Sequence, residues 1–146
     1  MKTTYYFIRH GEKEYDGTSN PHLNLRGLKR AAYWAHILYP KGIDLVFCTP
    51  LIRTYETAVP LLDKLQIDHH YYDPTDLYNI SFQRISRGKI SLVVGHQDTT
   101  PLFVNRILKE RKYAYIENDE YGNLYKVTLD ENGVIHSQLT VHNYLA

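Results

Sequence analysis

Short β-branched and aromatic runs alternate along this chain with stretches of helical periodicity, and that alternation restricts the fold more than any other feature. Thr3 to Ile8 reads as a strand, Leu45-Val46-Phe47-Cys48 as a strand buried on both faces, and Ile90 to Val94 as another. Asp68 to Tyr72 is a further, less regular strand. Leu28, Ala31, Ala32, Ala35 and Leu38 recur at three- and four-residue spacings, so Leu25 to Leu38 is a helix, stopped by Pro40-Lys41-Gly42. Thr49-Pro50 reads as the N-cap and first residue of a second helix, which Pro60 kinks or restarts before its end near Leu65. A third helix runs near Pro101 to Lys109. Leu124 to Leu129 and Val134 to Val141 flank Asp130-Glu131-Asn132-Gly133, an Asn-Gly turn that marks a hairpin. Strands alternating with helices imply βα units: an α/β fold with a mostly parallel sheet and an antiparallel C-terminal hairpin.

The length, 146 residues without a repeat, a low-complexity stretch or a linker, fits a single domain over 1–146. A formal net charge of +1 exerts no long-range pull on nucleic acid or anionic lipid, so neither is an expected partner. The apolar N-terminal run is broken at Arg9 and His10, too early for a signal segment or a membrane span, which makes the cytoplasm the default location. The lone cysteine, Cys48, cannot form an internal disulfide and reads as a small buried apolar residue at a strand end.

Three polar clusters each follow a strand. Arg9-His10-Gly11-Glu12 follows the first, Arg53 lies in the first turn of the helix after the second, and Gly95-His96 follows Ile90 to Val94. Ligands of open α/β sheets bind outside the carboxyl ends of the strands, so two arginines and two histidines are delivered to one edge. Two guanidiniums offer planar forks that match phosphate oxygens. A helix N-terminus adds donors and a favourable dipole. A histidine among them can attack phosphorus, and a second can stabilise the equatorial oxygens. Gly11 would let backbone approach the ligand.

These residues resemble the histidine phosphatase superfamily, also called phosphoglycerate mutase-like. Arg9-His10-Gly11-Glu12 is similar to its signature, and Leu23-Asn24-Leu25-Arg26-Gly27 with Arg30-Ala31 to its next block. Cys48-Thr49-Pro50-Leu51-Ile52-Arg53-Thr54-Tyr55-Glu56-Thr57-Ala58 resembles the block of the second arginine, and Val93-Val94-Gly95-His96 that of the second histidine. The resemblance implies a three-layer sandwich and a phosphatase acting on a phosphomonoester or phosphohistidine, borne by a small molecule or a phosphoprotein. In it His10 is the covalent nucleophile, Arg9, Arg53 and His96 clamp the phosphoryl group, and Glu56 supports the pocket. Neither metal nor organic cofactor is implied.

The pattern breaks at the general acid. Mutases and broad-specificity phosphatases carry a glutamate after the third strand, where this chain has Tyr72-Asp73-Pro74-Thr75-Asp76-Leu77-Tyr78. Acid phosphatases place an aspartate directly after the second histidine, where Gln97 precedes Asp98 here. Asp98 leads as the acid, with Asp76 and Asp73 as alternatives. A binding or sensor module with little turnover is the competing reading, and a phosphoglycerate mutase a weaker one. Glu12 and Lys13 read as a solvated loop. His69-His70 lacks further ligands at metal spacing. His22, His36, His136 and His142 are scattered, and the fourteen tyrosines are assigned to strand packing.

Overall fold

The computed structural model describes residues 1–143. Its strands are β1 (Thr3–Arg9), β2 (Leu45–Cys48), β3 (His70–Tyr71), β4 (Ile90–Gly95), β5 (Asn123–Leu129) and β6 (Ile135–Val141). They form one sheet in the order β3-β2-β4-β1-β5-β6. The first four are parallel, while β5 runs antiparallel to β1 and β6 antiparallel to β5. The helices are α1 (Leu25–Leu38), α2 (Ile52–Leu65), α3 (Ile80–Ser86) and α4 (Thr99–Leu108).

Strand alternation explains the layers. Tyr6, Ile8, Val46, Cys48, Leu92 and Val94 face one way and pack on Trp34, Ala35 and Leu38 of α1 and on Ala58, Leu61 and Leu62 of α2. Tyr5, Phe7, Phe47 and Val93 face the other way, onto Phe82 of α3 and Phe103, Val104 and Ile107 of α4. Residues one apart point to opposite faces, so two helical layers demand apolar side chains at every position of the central strands. Cys48 is fully buried in the first layer, and burial pushes its thiol up to about 12.

Several local expectations are corrected. The buried stripe of α1 is Gly27, Arg30, Ala31, Trp34, Ala35 and Leu38, leaving Leu28 and Ala32 exposed. The helix therefore turns its single tryptophan inward rather than Leu28. Helix α2 begins at Ile52, with Leu51 as a cap that makes no side-chain bond. Thr49 is drawn away from capping because its hydroxyl meets Thr54 at 2.9 Å and His96 at 3.0 Å. Pro60 neither breaks nor restarts α2, which stays helical from end to end. Of Asp68 to Tyr72, only His70–Tyr71 pairs with β2. Helix α3 has no counterpart in the sequence reading; its one signal is Asn79, whose side chain accepts from Phe82 N–H at 2.8 Å.

One close approach fixes the loop after β1. A Cβ on Gly27 would sit 2.0 Å from the Glu12 carbonyl oxygen, and one on Gly11 would sit 3.0 Å from the Gly27 oxygen. The two glycines thus let the loop lie directly on the first turn of α1. Gly27→Ala is expected to lower unfolding stability by roughly 1–3 kcal/mol, the usual cost of overpacking. Chemical denaturation against wild type checks this, and equal midpoints would refute it.

Candidate active site

Parallel pairing puts the carboxyl ends of β1, β2 and β4 side by side, with Arg9 opposite Gly95 and Cys48 opposite Val94. The residues that leave those ends meet in a cavity of about 630 Å³. Arg9, His10, Arg53 and His96 line it, together with Gln97, Asp98, Lys13, Tyr15, Tyr115, Asn118 and Tyr121. The four residues named from the sequence are therefore brought together. Asp98 lines the same cavity, whereas Asp73 and Asp76 do not. Asp73 instead closes its own turn, accepting from Thr75 N–H at 2.9 Å and from Thr75 Oγ1 at 2.6 Å.

His10 is buried, and its backbone N–H donates to Gly95 O at 2.9 Å. Its Nδ1 lies 2.7 Å from Gly11 O. A carbonyl only accepts, so Nδ1 carries the proton and Nε2 keeps its lone pair. Gly11 N–H in turn donates to Thr57 Oγ1 at 2.9 Å, and Thr57 Oγ1 donates to Arg53 O at 2.7 Å. One chain of hydrogen bonds thus ties His10 to the backbone of Arg53. Gly11 is not among the residues that line the cavity, and it packs closely on Gly27.

His96 faces His10 with ring centroids 5.3 Å apart. Thr54 Oγ1 donates to the carbonyls of Thr49 and Leu51, which spends its one proton. Thr49 therefore donates to Thr54 and accepts from His96 Nε2–H.

The electrostatics are lopsided. Burial, and secondarily the neighbouring His96, Arg9 and Arg53, push His10 down to about 3. Burial and then Arg53 push His96 down to about 4. Both rings are neutral at neutral pH. The partly buried Arg53 guanidinium forms no hydrogen bond or ion pair among the described residues, and its Nε and Nη1 are buried without acceptors. Burial lowers the proton affinity of Arg9 and Arg53 alike, yet both stay charged. The floor of the cavity is cationic, and among the described residues neither arginine forms an ion pair with a carboxylate. Buried donors without acceptors cost stability unless a ligand satisfies them, so this floor fits an anion with several acceptor oxygens.

Glu12 is not in a solvated loop. It is buried and grips Arg30 through Nε to Oε1 at 2.8 Å and Nη2 to Oε2 at 3.0 Å, with Arg26 Nε at 3.1 Å. Those bonds and charges hold its carboxyl below the usual range against the opposing effect of burial. Glu56 lies outside the cavity and secures the chain before α1, accepting from Leu23 N–H at 2.8 Å and meeting His22 Nδ1 at 3.1 Å. The sequence reading missed the segment from Ile116 to Tyr121. Arg9 Nη1 donates to the carbonyls of Glu117, Asn118 and Glu120 at 3.1, 3.1 and 2.7 Å. Backbone acceptors carry no residue signature, so nothing in the letters marked this loop.

This arrangement is a cationic cavity at the carboxyl edge of an α/β sheet, and the chain belongs to the histidine phosphatase superfamily (branch 1), which residues 5–85 match. Phosphoserine phosphatase 1 of Hydrogenobacter thermophilus is 33% identical over 67 residues, a match covering 42% of this chain and 32% of that relative's length. In fold, the chain is similar to phosphoserine phosphatase of Entamoeba histolytica in complex with 3-phosphoglyceric acid, with a TM-score of 0.75 and 13% identity over 99% of this chain and 100% of that one. It is likewise similar to the protein histidine phosphatase SixA complexed with tungstate, with a TM-score of 0.70 and 19% identity over 94% and 96% of the two chains.

Both cavity histidines are expected to remain neutral at pH 5.5, where a histidine of ordinary pKa near 6.5 is largely protonated. Nitrogen chemical shifts of labelled histidine would show it, and an imidazolium signature at either residue would refute it. The linked effect on stability has one sign. The unfolded chain takes up these protons near pH 6.5 and the folded chain only near 3 and 4, so folding weakens as pH falls below about 6.5.

Proposed function

We propose that this protein hydrolyses a phosphomonoester or a phosphohistidine through a covalent phosphoryl intermediate on His10 Nε2. The observation that carries the proposal is the unprotonated Nε2 of a buried, neutral His10 beside Arg53, whose donors have no acceptor among the described residues. Family membership and the phosphatase names among the relatives support the reaction class.

The chemistry runs in two displacements. The phosphoryl group settles on Arg53 and on the donors Arg9 keeps free, its negative charge replacing water against the cationic floor. The His10 Nε2 lone pair forms the P–N bond while the bond from phosphorus to the leaving atom breaks. Gly11 O holds the Nδ1 proton and keeps the developing imidazolium oriented. His96 spends its Nε2–H on Thr49, so it gains a proton at Nδ1 as the anion arrives and then faces the phosphoryl group as a cation. Water then attacks phosphorus, the P–N bond breaks, and orthophosphate leaves with His10 neutral again.

Asp98 is the proton donor to an ester oxygen in the first step and takes a proton from water in the second. Its Oδ1 accepts from Thr99 N–H at 2.8 Å, and the side chain lies on the cavity wall. A phosphohistidine, whose nitrogen departs readily, needs this acid less than an alkyl phosphate does. No step calls for a metal.

Hydrolysis of p-nitrophenyl phosphate in the presence of chelator is expected to persist in wild type and to fall at least 10³-fold in His10→Ala, in the range lost when a nucleophile is removed. Acid quenching during turnover should trap an acid-labile phosphoryl group on wild type alone. Asp98→Asn is expected to slow an alkyl phosphate by about 10²-fold or more and the aryl phosphate far less. Equal activity in wild type and His10→Ala would overturn the nucleophile. Wild type that binds phosphate without turnover would establish the sensor reading instead.

A further inference from the structure

The Ile116-to-Tyr121 segment lies outside the residues that match the family, yet it forms one wall of the cavity and grips one of its arginines. Arg9 has five N–H groups. Nη1 is given to three backbone carbonyls of this segment, and Nη2 donates to Gln97 Oε1 at 3.1 Å. Gln97 is itself fixed, because its Nε2 donates to Asn118 Oδ1 at 2.9 Å and its carbonyl accepts from Ile116 N–H at 2.9 Å. What Arg9 retains is Nε–H, buried without an acceptor among the described residues, and the second hydrogen of Nη2.

One aromatic ring lies against that guanidinium. Arg9 lies over Tyr121 with its central carbon 4.0 Å from the ring centroid. The Arg30 guanidinium approaches the same ring at 5.5 Å. Two cations sharing one aromatic ring would repel, but Glu12 neutralises Arg30 through two short bonds and leaves Arg9 as the unpaired charge. The Tyr121 hydroxyl makes no hydrogen bond among the described residues, so the ring face rather than the phenol is the contact.

We infer that Tyr121 is a positioning residue, whose ring, with the carbonyls of residues 117, 118 and 120, holds Arg9 so that Nε–H and the remaining Nη2–H face the phosphoryl group. The inference rests on the proposed role of Arg9 as a phosphate ligand and assigns the holding of that ligand to a part of the chain that the family match leaves out. A flat guanidinium presents two parallel donors; one that rotates about its side chain presents them to the oxygens only part of the time.

The test pairs calorimetric binding of inorganic phosphate with steady-state hydrolysis of p-nitrophenyl phosphate, in wild type and in Tyr121→Phe, Tyr121→Leu and Tyr121→Ala. Tyr121→Phe keeps the ring and is expected to bind phosphate within about twofold of wild type. Tyr121→Leu keeps bulk without a ring, and both it and Tyr121→Ala are expected to weaken phosphate binding and raise KM by about tenfold. kcat is expected to fall less than KM rises, because His10 and Asp98 are held by other contacts. Tyr121→Leu also serves if Tyr121→Ala folds poorly, with thermal unfolding verifying each variant. Phosphate affinity and KM unchanged in a folded Tyr121→Leu would overturn the inference while leaving the phosphatase reading intact. Loss of equal size in Tyr121→Phe would overturn it too, since the hydroxyl would then be the working group. A wild type that does not bind phosphate would overturn both.

Discussion

The parallel register of β1 against β4 governs everything else at the site. It places Arg9 beside Gly95 and carries His10 and His96 off neighbouring strands in the same direction, so their rings meet without any contact designed to join them. Pairing of β2 with β4 then brings Thr49 to His96 and, through α2, Arg53 to the same edge. Backbone hydrogen bonds buried between two helical layers hold this register. A slip of one residue would turn every side chain of the central strands to the wrong face. The four central residues therefore sit at or just beyond the ends of paired strands and in the first turn of α2, while the wall from Ile116 to Tyr121 is built on a loop.

Charge is distributed with the opposite logic on the two sides of Tyr121. On one side Arg30 is buried and fully paired by Glu12. On the other, among the described residues, Arg9 is held by neutral acceptors and Arg53 by none. Carbonyls and an amide fix a guanidinium without cancelling its charge; a carboxylate in their place would fix it and neutralise it. With that carboxylate bonded to Arg30 instead, Arg9 feels its charge without being paired by it. The cationic floor is unfavourable in the empty protein and is relieved by an anion, a trade of stability for binding.

Much of this was legible in the sequence, for reasons that separate cleanly. The central strands were readable because burial on both faces leaves nothing but apolar letters in Leu45-Val46-Phe47-Cys48. The clusters at their ends were readable because Arg9, His10, Arg53 and His96 are polar residues with a restricted chemistry. Glu12 was misread because its partner Arg30 lies eighteen positions away on a helix, and a charge looks the same in the letters whether it is solvated or paired. Thr49 was misread because tertiary contacts to Thr54 and His96 outcompeted the local capping preference. The grip of residues 117–120 on Arg9 could not be read at all, since carbonyl oxygens are common to every residue.

The burial of Cys48 has a consequence for the conditions under which such a site can operate. This lone thiol ends β2, next to Thr49, with its pKa pushed up to about 12 and no exposure to solvent. Peroxide attacks thiolates, and selectively those that are both ionised and accessible. A cavity floored by guanidinium and imidazole offers peroxide no such group, and the only sulfur nearby is neutral and sealed. Phosphatases that depend on a cysteine thiolate lose it to peroxide, whereas the nucleophile proposed here is an imidazole nitrogen, which lies outside that chemistry.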